Sequence, residues 1–366
     1  MTRTTLLAIA AAATAAAASP ARATPFVDPT DGALDASAWL ASRQGFVPLV
    51  VPITEPAVGY GAAAGLVFFH PRAGGPPPGS EGGGFTPPSL SVAMAFATSN
   101  GSWGAAAGHM GIWRGDAIRY LGGAAYVDLN LDFYGASDTA RRFEMKAVPI
   151  VQELVFRIGG SRLYAGGRWV FSDSRIRFAG ASPDSVAGSE AESMVSGAGA
   201  VVTWDGRDTI FTPSDGTRAE ASFLYYAPAI GSDYRYWKLH AYQLGYFPVT
   251  RALVVGFRVD AQLSGGDVPF YALPYVALRG VPALRYQGNS AVVAETELRW
   301  DFVPRWSAVG FAGAGAVDAL PNEVPWSVGA GFRYLVARAF GLRMGLDVAR
   351  GPEEWAMYVV FGNEWR

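Results

Sequence analysis

The segment that decides the fold is SAVVAETELRWDFV, Ser290 to Val303, which directly follows LRGVPALRYQGN, Leu278 to Asn289. Successive side chains of an extended strand point to opposite faces. The mostly ionic face carries Ala291, Val293, Glu295, Glu297, Arg299 and Asp301. The mostly apolar face carries Val292, Ala294, Thr296, Leu298, Trp300 and Phe302. A soluble sandwich would turn the ionic face to water, whereas a membrane barrel would turn it to the lumen and the apolar face to lipid.

The same alternation recurs along the chain and favours the barrel. One set of polar residues predicted to face a lumen is Arg258, Asp260, Gln262 and Ser264; others are Arg343 with Asp347, and Asp128, Asn130 and Asp132. Tryptophans near the predicted strand ends indicate interfacial girdles. They are Trp103, Trp113, Trp204, Trp237, Trp306, Trp326, Trp355 and Trp365.

The predicted strands are separated by tight turns, for example at Asn100-Gly101 and Gly159-Gly160, and by longer loops over 135–142, 180–192 and 265–287. Short turns at one end and long loops at the other are typical of outer-membrane barrels. The pattern predicts an all-β fold, a transmembrane antiparallel β-barrel of about 16 strands, with about 14 as the alternative. The higher number counts Gly45 to Ile53 as the first strand.

Composition excludes several classes of function. The chain has 29 Lys+Arg against 31 Asp+Glu, so it shows no basic footprint for nucleic acid. It has no cysteine, which excludes a disulfide framework, a thiol nucleophile and thiolate-bound zinc. The three histidines, His70, His109 and His240, each stand alone in the sequence. We therefore predict no catalytic, cofactor or metal site and no enzyme activity.

The N-terminus predicts export. Residues 1–23 combine Arg3, an apolar run and the sequence Ala21-Arg22-Ala23, the pattern of a cleaved signal peptide. Residues 24–43 form a short periplasmic segment with a predicted helix around Leu34 to Ser42, and residues 44–366 form the barrel. No later run approaches the roughly 18 apolar residues of a membrane helix. We predict that strands place the protein in the outer membrane of a two-membrane bacterium.

Four segments resemble the bacterial surface antigen family, the superfamily of outer-membrane barrel-assembly and two-partner-secretion translocases. They are WDGRDTIFTPSDGTR (204–218), LRGV (278–281), Glu297-Leu298-Arg299, and the C-terminal segment from Trp326. The resemblance implies a loop inserted into the lumen, with the motif Leu278, Arg279, Gly280 and Val281 at its tip. It also implies a C-terminal assembly signal, here Tyr358, Gly362 and Trp365, with Trp365 at the membrane interface.

The family's acceptor for the loop arginine is an aspartate, where this chain has Gly313. We therefore predict that Arg279 makes a single carboxylate contact, with Glu295 and Glu297 as the candidate partners. In the turn motif, Asp205, Arg207 and Asp208 can hold the turn by charge-assisted hydrogen bonds. Pro213 and Gly216 supply a restricted and a positive φ.

The resemblance implies a minimal member without polypeptide-transport-associated domains. The expected function is to assist insertion or translocation of protein or lipid at the outer membrane. The expected partners are outer-membrane lipid, a protein or lipid substrate, or a periplasmic receptor supplied in trans. The alternative is a loop-plugged passive pore or a structural barrel without translocase activity.

Overall fold

The computed structural model describes residues 26–42, 45–70, 89–134, 140–178, 190–318, 324–363 and 365. The predicted signal peptide, residues 1–23, lies outside these ranges, as do residues 135–139 and 180–189 of two predicted loops.

Over these described ranges, the chain folds into one antiparallel sheet of sixteen strands in sequence order, preceded by a short helix, α1, at Ser37–Ser42. The prediction of sixteen strands beginning at Gly45–Ile53 is confirmed. The strands are β1 Gly45–Ile53, β2 Gly61–Phe69, β3 Leu90–Thr98, β4 Trp103–Trp113, β5 Ile118–Tyr134, β6 Ala140–Arg157, β7 Leu163–Phe178, β8 Glu190–Asp205, β9 Gly216–Tyr226, β10 Tyr236–Pro248, β11 Leu253–Gly266, β12 Ser290–Val303, β13 Trp306–Val317, β14 Trp326–Ala337, β15 Leu342–Arg350 and β16 Trp355–Phe361.

The sheet curves into a nearly closed barrel. β1 lies beside β16, but no backbone ladder joins these two strands among the residues described. In the same part of the chain, no helix is both long enough and apolar enough to cross a membrane.

Burial along β12 decides which face of the sheet is the inside. Glu295 and Arg299 are 4% and 5% exposed, whereas Leu298 and Trp300 are 47% and 54% exposed. The ionic face is therefore enclosed and the apolar face lies on the outer surface, the reverse of a soluble protein and the arrangement of a membrane barrel.

We call the rim where β1 begins and β16 ends the terminal edge, and the opposite rim the loop edge. Short connections at 249–252, 304–305 and 338–341 lie at the terminal edge, and the long connection 267–289 lies at the loop edge. The predicted asymmetry has exceptions. The tight turn at Asn100-Gly101 and the short connection 351–354 lie at the loop edge, whereas the connections 70–89 and 206–215 lie at the terminal edge. These exceptions follow from strict strand alternation, which assigns each connection to a rim whatever its length.

The prediction that Asp128, Asn130 and Asp132 face the lumen is wrong. Asp128 pairs in register with the outward-facing Trp103, so these polar side chains lie on the outer surface of β5. The inner face there is apolar, with Leu131 buried against Phe143. The outward aromatic pair Trp103 and Tyr126, with ring centroids 5.4 Å apart, marks the membrane interface. β5 continues beyond it into water, where outward polar residues are expected.

Candidate functional site

The connection between β11 and β12, residues 267–289, folds into the barrel, and we call it the inserted loop. Its residues Val276, Leu278 and Val281 are buried and pack against Val293 on the inner face of β12. The strand pattern of β12 places the carboxylates of Glu295 and Glu297 on the same inner face.

Arg279, at the tip of the inserted loop, is 5% exposed and bonds to three carboxylates. Its Nε and Nη2 donate to Glu295 Oε1 at 2.8 and 2.6 Å. Its Nη1 donates to Glu297 Oε2 at 2.9 Å and to Asp347 Oδ2 at 2.8 Å. The structure therefore brings both candidate partners to Arg279, but the expectation of a single carboxylate contact is wrong.

Asp347 was not foreseen as a partner of Arg279. It lies on β15, it is fully buried, and Arg333 of β14 also bonds to it, with Nη2 2.9 Å from Oδ2. The period-two pattern placed Asp347 on the lumen face, but sequence alone cannot show that β15 lies across the lumen from the loop tip. The Arg279 guanidinium also lies 3.4 Å from the ring centroid of Phe311 on β13, close enough for a cation–π contact.

Gly313 stands where the resemblance suggested an aspartate. A Cβ placed on Gly313 would lie 2.9 Å from Leu278 Cδ2 and 3.0 Å from Glu295 Cγ. The Leu278 side chain thus fills the space that an aspartate would need, and the carboxylates that hold Arg279 come from β12 and β15 instead.

The ionic cluster around the loop tip is charge-balanced. It contains Arg258, Arg279 and Arg333 against Glu295, Glu297 and Asp347, three positive and three negative side chains. Arg258 also donates to the loop carbonyl of Ala277 at 2.7 Å. Removing Arg279 would leave buried carboxylates without their cation, which typically costs about 3 to 5 kcal/mol.

The same cluster contacts the end of the barrel. The Gly280 N–H donates to the Tyr358 hydroxyl of β16 at 2.8 Å. Trp365 Nε1 donates to Glu295 Oε2 at 2.9 Å. The prediction that Trp365 lies at the membrane interface is wrong, because it is 3% exposed inside the lumen and packs against Tyr246. The chain turns inward after β16 at Gly362, whose φ of 76° favours glycine.

The turn motif between β8 and β9 lies at the terminal edge and folds inward. Arg207 Nε donates to Asp205 Oδ1 at 2.9 Å, and Asp208 Oδ1 accepts the Ser214 N–H at 3.1 Å. The Pro213 carbonyl accepts a hydrogen bond from Arg299 of β12 at 3.0 Å. Gly216 has a φ of 97°, and a Cβ there would lie 2.2 Å from the Gly206 carbonyl oxygen. The turn therefore fills the lumen from the side opposite the inserted loop.

The first half of the inserted loop is held by aromatic packing together with hydrogen bonds to uncharged groups of the loop. Phe270 packs edge-on against Phe143 of β6, with ring centroids 5.3 Å apart, and also contacts Phe178 of β7. The Tyr271 hydroxyl is hydrogen-bonded to Ser193 of β8. These partners lie on the inner face of β6, β7 and β8, in the parts of these strands that extend past the aromatic girdle at the loop edge.

None of the three histidines is isolated in the structure, although each stands alone in the sequence. His70 Nε2 and His109 Nδ1 each lie 2.8 Å from Ser91 Oγ. No carboxylate bonds to these three side chains among the residues described, so the orienting third member of a hydrolase triad is not present there. His240 instead contacts Asp260 inside the barrel at 3.1 Å. In the described ranges, no three His, Asp or Glu side chains are grouped to hold a metal ion.

The N-terminal residues 26–42 dock at the terminal edge, and we call them the N-terminal strap. Arg305, between β12 and β13, donates to Asp28, Asp31 and Asp35, at 2.5 Å to Asp28 and Asp35 and 2.8 Å to Asp31. The hydrogen bonds from Arg305 lower the pKa of Asp31 to about 2. The strap is thus tied to the barrel by an ionic clasp, in which the Asp31 side chain is 24% exposed.

Residues 113–277 match the model of the Omp85 superfamily domain. No curated protein sequence matches the chain significantly. Among solved structures, BamA from Haemophilus ducreyi lacking POTRA domains 1-3 is similar, with 14% identity, a TM-score of 0.59, and coverage of 87% of this chain and 70% of that chain.

CdiB from Escherichia coli has 13% identity and a TM-score of 0.59, and CdiB from Acinetobacter baumannii has 9% and 0.56; each match covers 87% of this chain. The chain spans 62% and 60% of these two proteins. The domain match confirms the predicted resemblance over residues 113–277, and the solved structures share the barrel fold.

Proposed function

We propose, starting from the Omp85 superfamily domain that this chain carries over residues 113–277, that the protein assists insertion or translocation of protein or lipid at the outer membrane. The inserted loop acts as the movable part, and the contact between β1 and β16 acts as the part that opens. Outer-membrane lipid is the surrounding partner, and any periplasmic receptor would approach the terminal edge.

The junction of the first and last strands supports an opening there. β1 contains Pro48 and Pro52, which lack an N–H group and are typical of edge strands. β16 has only seven residues, fewer than the fourteen of β12. A junction without a described ladder offers fewer backbone hydrogen bonds to break than any other pair of neighbouring strands.

The observation that carries the proposal is the shared contact between the loop tip and the last strand. Gly280, next to Arg279, bonds to Tyr358 of β16, and Glu295 bonds both to Arg279 and to Trp365 beyond β16. Displacing Arg279 from its seat would therefore remove support from the strand at the junction. A passive plug needs no such connection.

A reversible lock tests the proposal. The double variant Leu278→Cys/Gly313→Cys places one thiol on each side of a close contact. In the native protein, Leu278 Cδ2 lies 2.9 Å from the position that a Cβ on Gly313 would take. The native chain has no cysteine to interfere. The mature protein would be reconstituted in liposomes and its ability to insert an unfolded barrel substrate or to move labelled phospholipid measured.

Oxidation should suppress the activity and reductant should restore it, while each single cysteine variant remains active under both conditions. Equal activity of the oxidised and reduced forms would contradict a moving loop. Activity no greater than that of protein-free liposomes would contradict the insertion and translocation proposal itself.

The alternative of a loop-plugged pore or a structural barrel is favoured by one observation. The inserted loop and the turn motif fill the lumen from opposite edges, and both are bonded to β12. Under this alternative, the reconstituted protein is inactive in both assays whether or not the lock is oxidised.

A further inference from the structure

A polar cluster lies on the outer surface of the barrel near the terminal edge, and we call it the outer-wall cluster. It consists of His70 after β2, Ser91 on β3, His109 on β4, Tyr120 on β5 and Gln152 on β6. Ser91 Oγ lies 2.8 Å from a ring nitrogen of each histidine, and the two imidazole rings are 5.2 Å apart. The Tyr120 hydroxyl donates to Gln152 Oε1 at 2.5 Å.

Strand parity places these side chains on the lipid-facing side. His109 shares its face of β4 with Trp103 and Trp113, which are 47% and 43% exposed. The alternate residues Met110 and Ile112 instead line a cavity in the lumen. Trp113 is the last residue of β4 and stacks on Tyr120 with ring centroids 5.7 Å apart. An exposed tryptophan at a strand end marks the membrane interface, so the cluster lies at headgroup depth.

Another part of the wall is apolar at the same edge. On strands β10 to β14 the outward side chains near the terminal edge are exposed and aromatic: Phe247, Trp300, Phe302, Trp306 and Phe332. Polar groups facing lipid are costly unless they are hydrogen-bonded. The outer-wall cluster therefore differs from the aromatic outer surface of β10 to β14, and its polar groups need a polar ligand or water beside them.

The chemistry of the cluster selects an anion. A neutral imidazole has one donor and one acceptor nitrogen, and the Ser91 hydroxyl has a single hydrogen, so it donates to one ring and accepts from the other. Among the residues described, no hydrogen bond engages the second ring nitrogen of His70 or His109. The amide nitrogen of Gln152 is a further donor, because Tyr120 occupies its oxygen. The cluster contains no carboxylate.

We propose that the outer-wall cluster binds the phosphate group of a phospholipid in the leaflet next to the terminal edge. The headgroup phosphate accepts hydrogen bonds from the one histidine whose free ring nitrogen carries a hydrogen and from the Gln152 amide, while the acyl chains lie along the small outward residues of β4, Ala105 and Ala107. This assignment does not depend on movement of the inserted loop.

The test is lipid retention by the full-length mature protein, measured by native mass spectrometry in detergent. Phosphatidylglycerol and phosphatidylethanolamine are titrated in turn, with diacylglycerol as the phosphate-free probe and inorganic phosphate as the chain-free probe. The double variant His70→Leu/His109→Leu removes the free ring N–H, whichever of the two histidines carries it. Thr296→Val, which removes an outward hydroxyl from β12, is the matched control. Slower migration after heating confirms that each variant is folded.

We expect saturable binding of one phospholipid that weakens by about tenfold in the double variant, since hydrogen bonds to a charged group contribute about 1.5 kcal/mol or more. His109→Gln, which keeps a donor, should restore part of the affinity relative to His109→Leu. Thr296→Val should bind like the native protein. Unchanged binding in the double variant, equal binding of diacylglycerol, or inorganic phosphate binding as tightly as phospholipid would each overturn the proposal.

Discussion

The start and the tip of the inserted loop are held by different kinds of contact. Near its start, Phe270 packs on aromatic rings of β6 and β7, and the Tyr271 hydroxyl is hydrogen-bonded to Ser193 of β8. Near its tip, Arg279 is surrounded by carboxylates from β12 and β15. Apolar contacts tolerate small displacements, whereas a buried arginine among carboxylates loses much of its stabilisation when one partner moves. The tip around Arg279, which we call the ionic end, is therefore suited to switch between a bound and a released position. The start around Phe270, which we call the apolar end, is suited to a fixed attachment.

The largest effect is expected for Arg279→Ala. The substitution leaves three carboxylates facing two arginines and should weaken seating of the loop tip by about 3 to 5 kcal/mol. A cysteine introduced at Ala283 should become reactive to a membrane-impermeant maleimide added from the loop edge. Arg285→Ala is the matched control, since Arg285 bonds to the half-exposed Glu353 and should change labelling little. Equal labelling of all three proteins would show that Arg279 does not hold the tip.

Phe270→Ala should act only on the apolar end. Loss of its contacts with Phe143 and Phe178 should cost about 1.5 to 3 kcal/mol and expose a cysteine at Val268 to the same reagent. Position 283 should stay protected, because the ionic seat is intact. Exposure of both positions together would mean that the loop moves as one unit and that its two ends are not independent.

The two glutamates should differ in a predictable order. Glu295 is enclosed and bonds to both Arg279 and Trp365, whereas the Glu297 side chain is 17% exposed and bonds to an Nη1 that Asp347 also engages. Glu295→Gln should therefore increase labelling at position 283 more than Glu297→Gln, whose cost should be about 1 kcal/mol. Combined with Arg279→Ala, either change should add little, since the contact is already lost. The reverse order would show that Glu297 is the main partner.

The smallest effect should come from the N-terminal strap, where the same kinds of side chains meet at the terminal edge. The hydrogen bonds from Arg305 of the barrel lower the pKa of Asp31 from its ordinary value to about 2. Depressed carboxyl pKa values stabilise docking above the ordinary pKa and lose that contribution as the pH falls toward about 2. Hydrogen exchange over residues 26–42 should thus rise in this window and at high salt.

Arg305→Ala should release the strap already at pH 7, while the same change at the exposed Arg251 should not. Labelling at position 283 should stay unchanged in both. A strap that keeps its protection at pH 2 would contradict the ionic clasp.

The sequence predicted the ionic end well because strict alternation in β12 shows which residues share the lumen face. It could not show that β15 lies across the lumen, so Asp347 was missed. The sequence prediction assigned Asp128, Asn130 and Asp132 of β5 to the wrong face. These residues lie on a part of β5 outside the membrane, where polar residues face outward. Trp365 was misplaced because a strand-end aromatic has the same pattern whether it stays at the interface or turns inward. Contacts between residues distant in sequence, such as His70 with Ser91, could be recognised only once the strand register was known.

Single-channel recording of Arg279→Ala in a planar bilayer tests the central claim most directly, that the ionic seat keeps the inserted loop in the lumen. The native protein should show a mostly closed baseline with rare openings. Arg279→Ala should show frequent or sustained openings of higher conductance, and Arg285→Ala should resemble the native protein. Identical current traces for the native protein and Arg279→Ala would contradict the account.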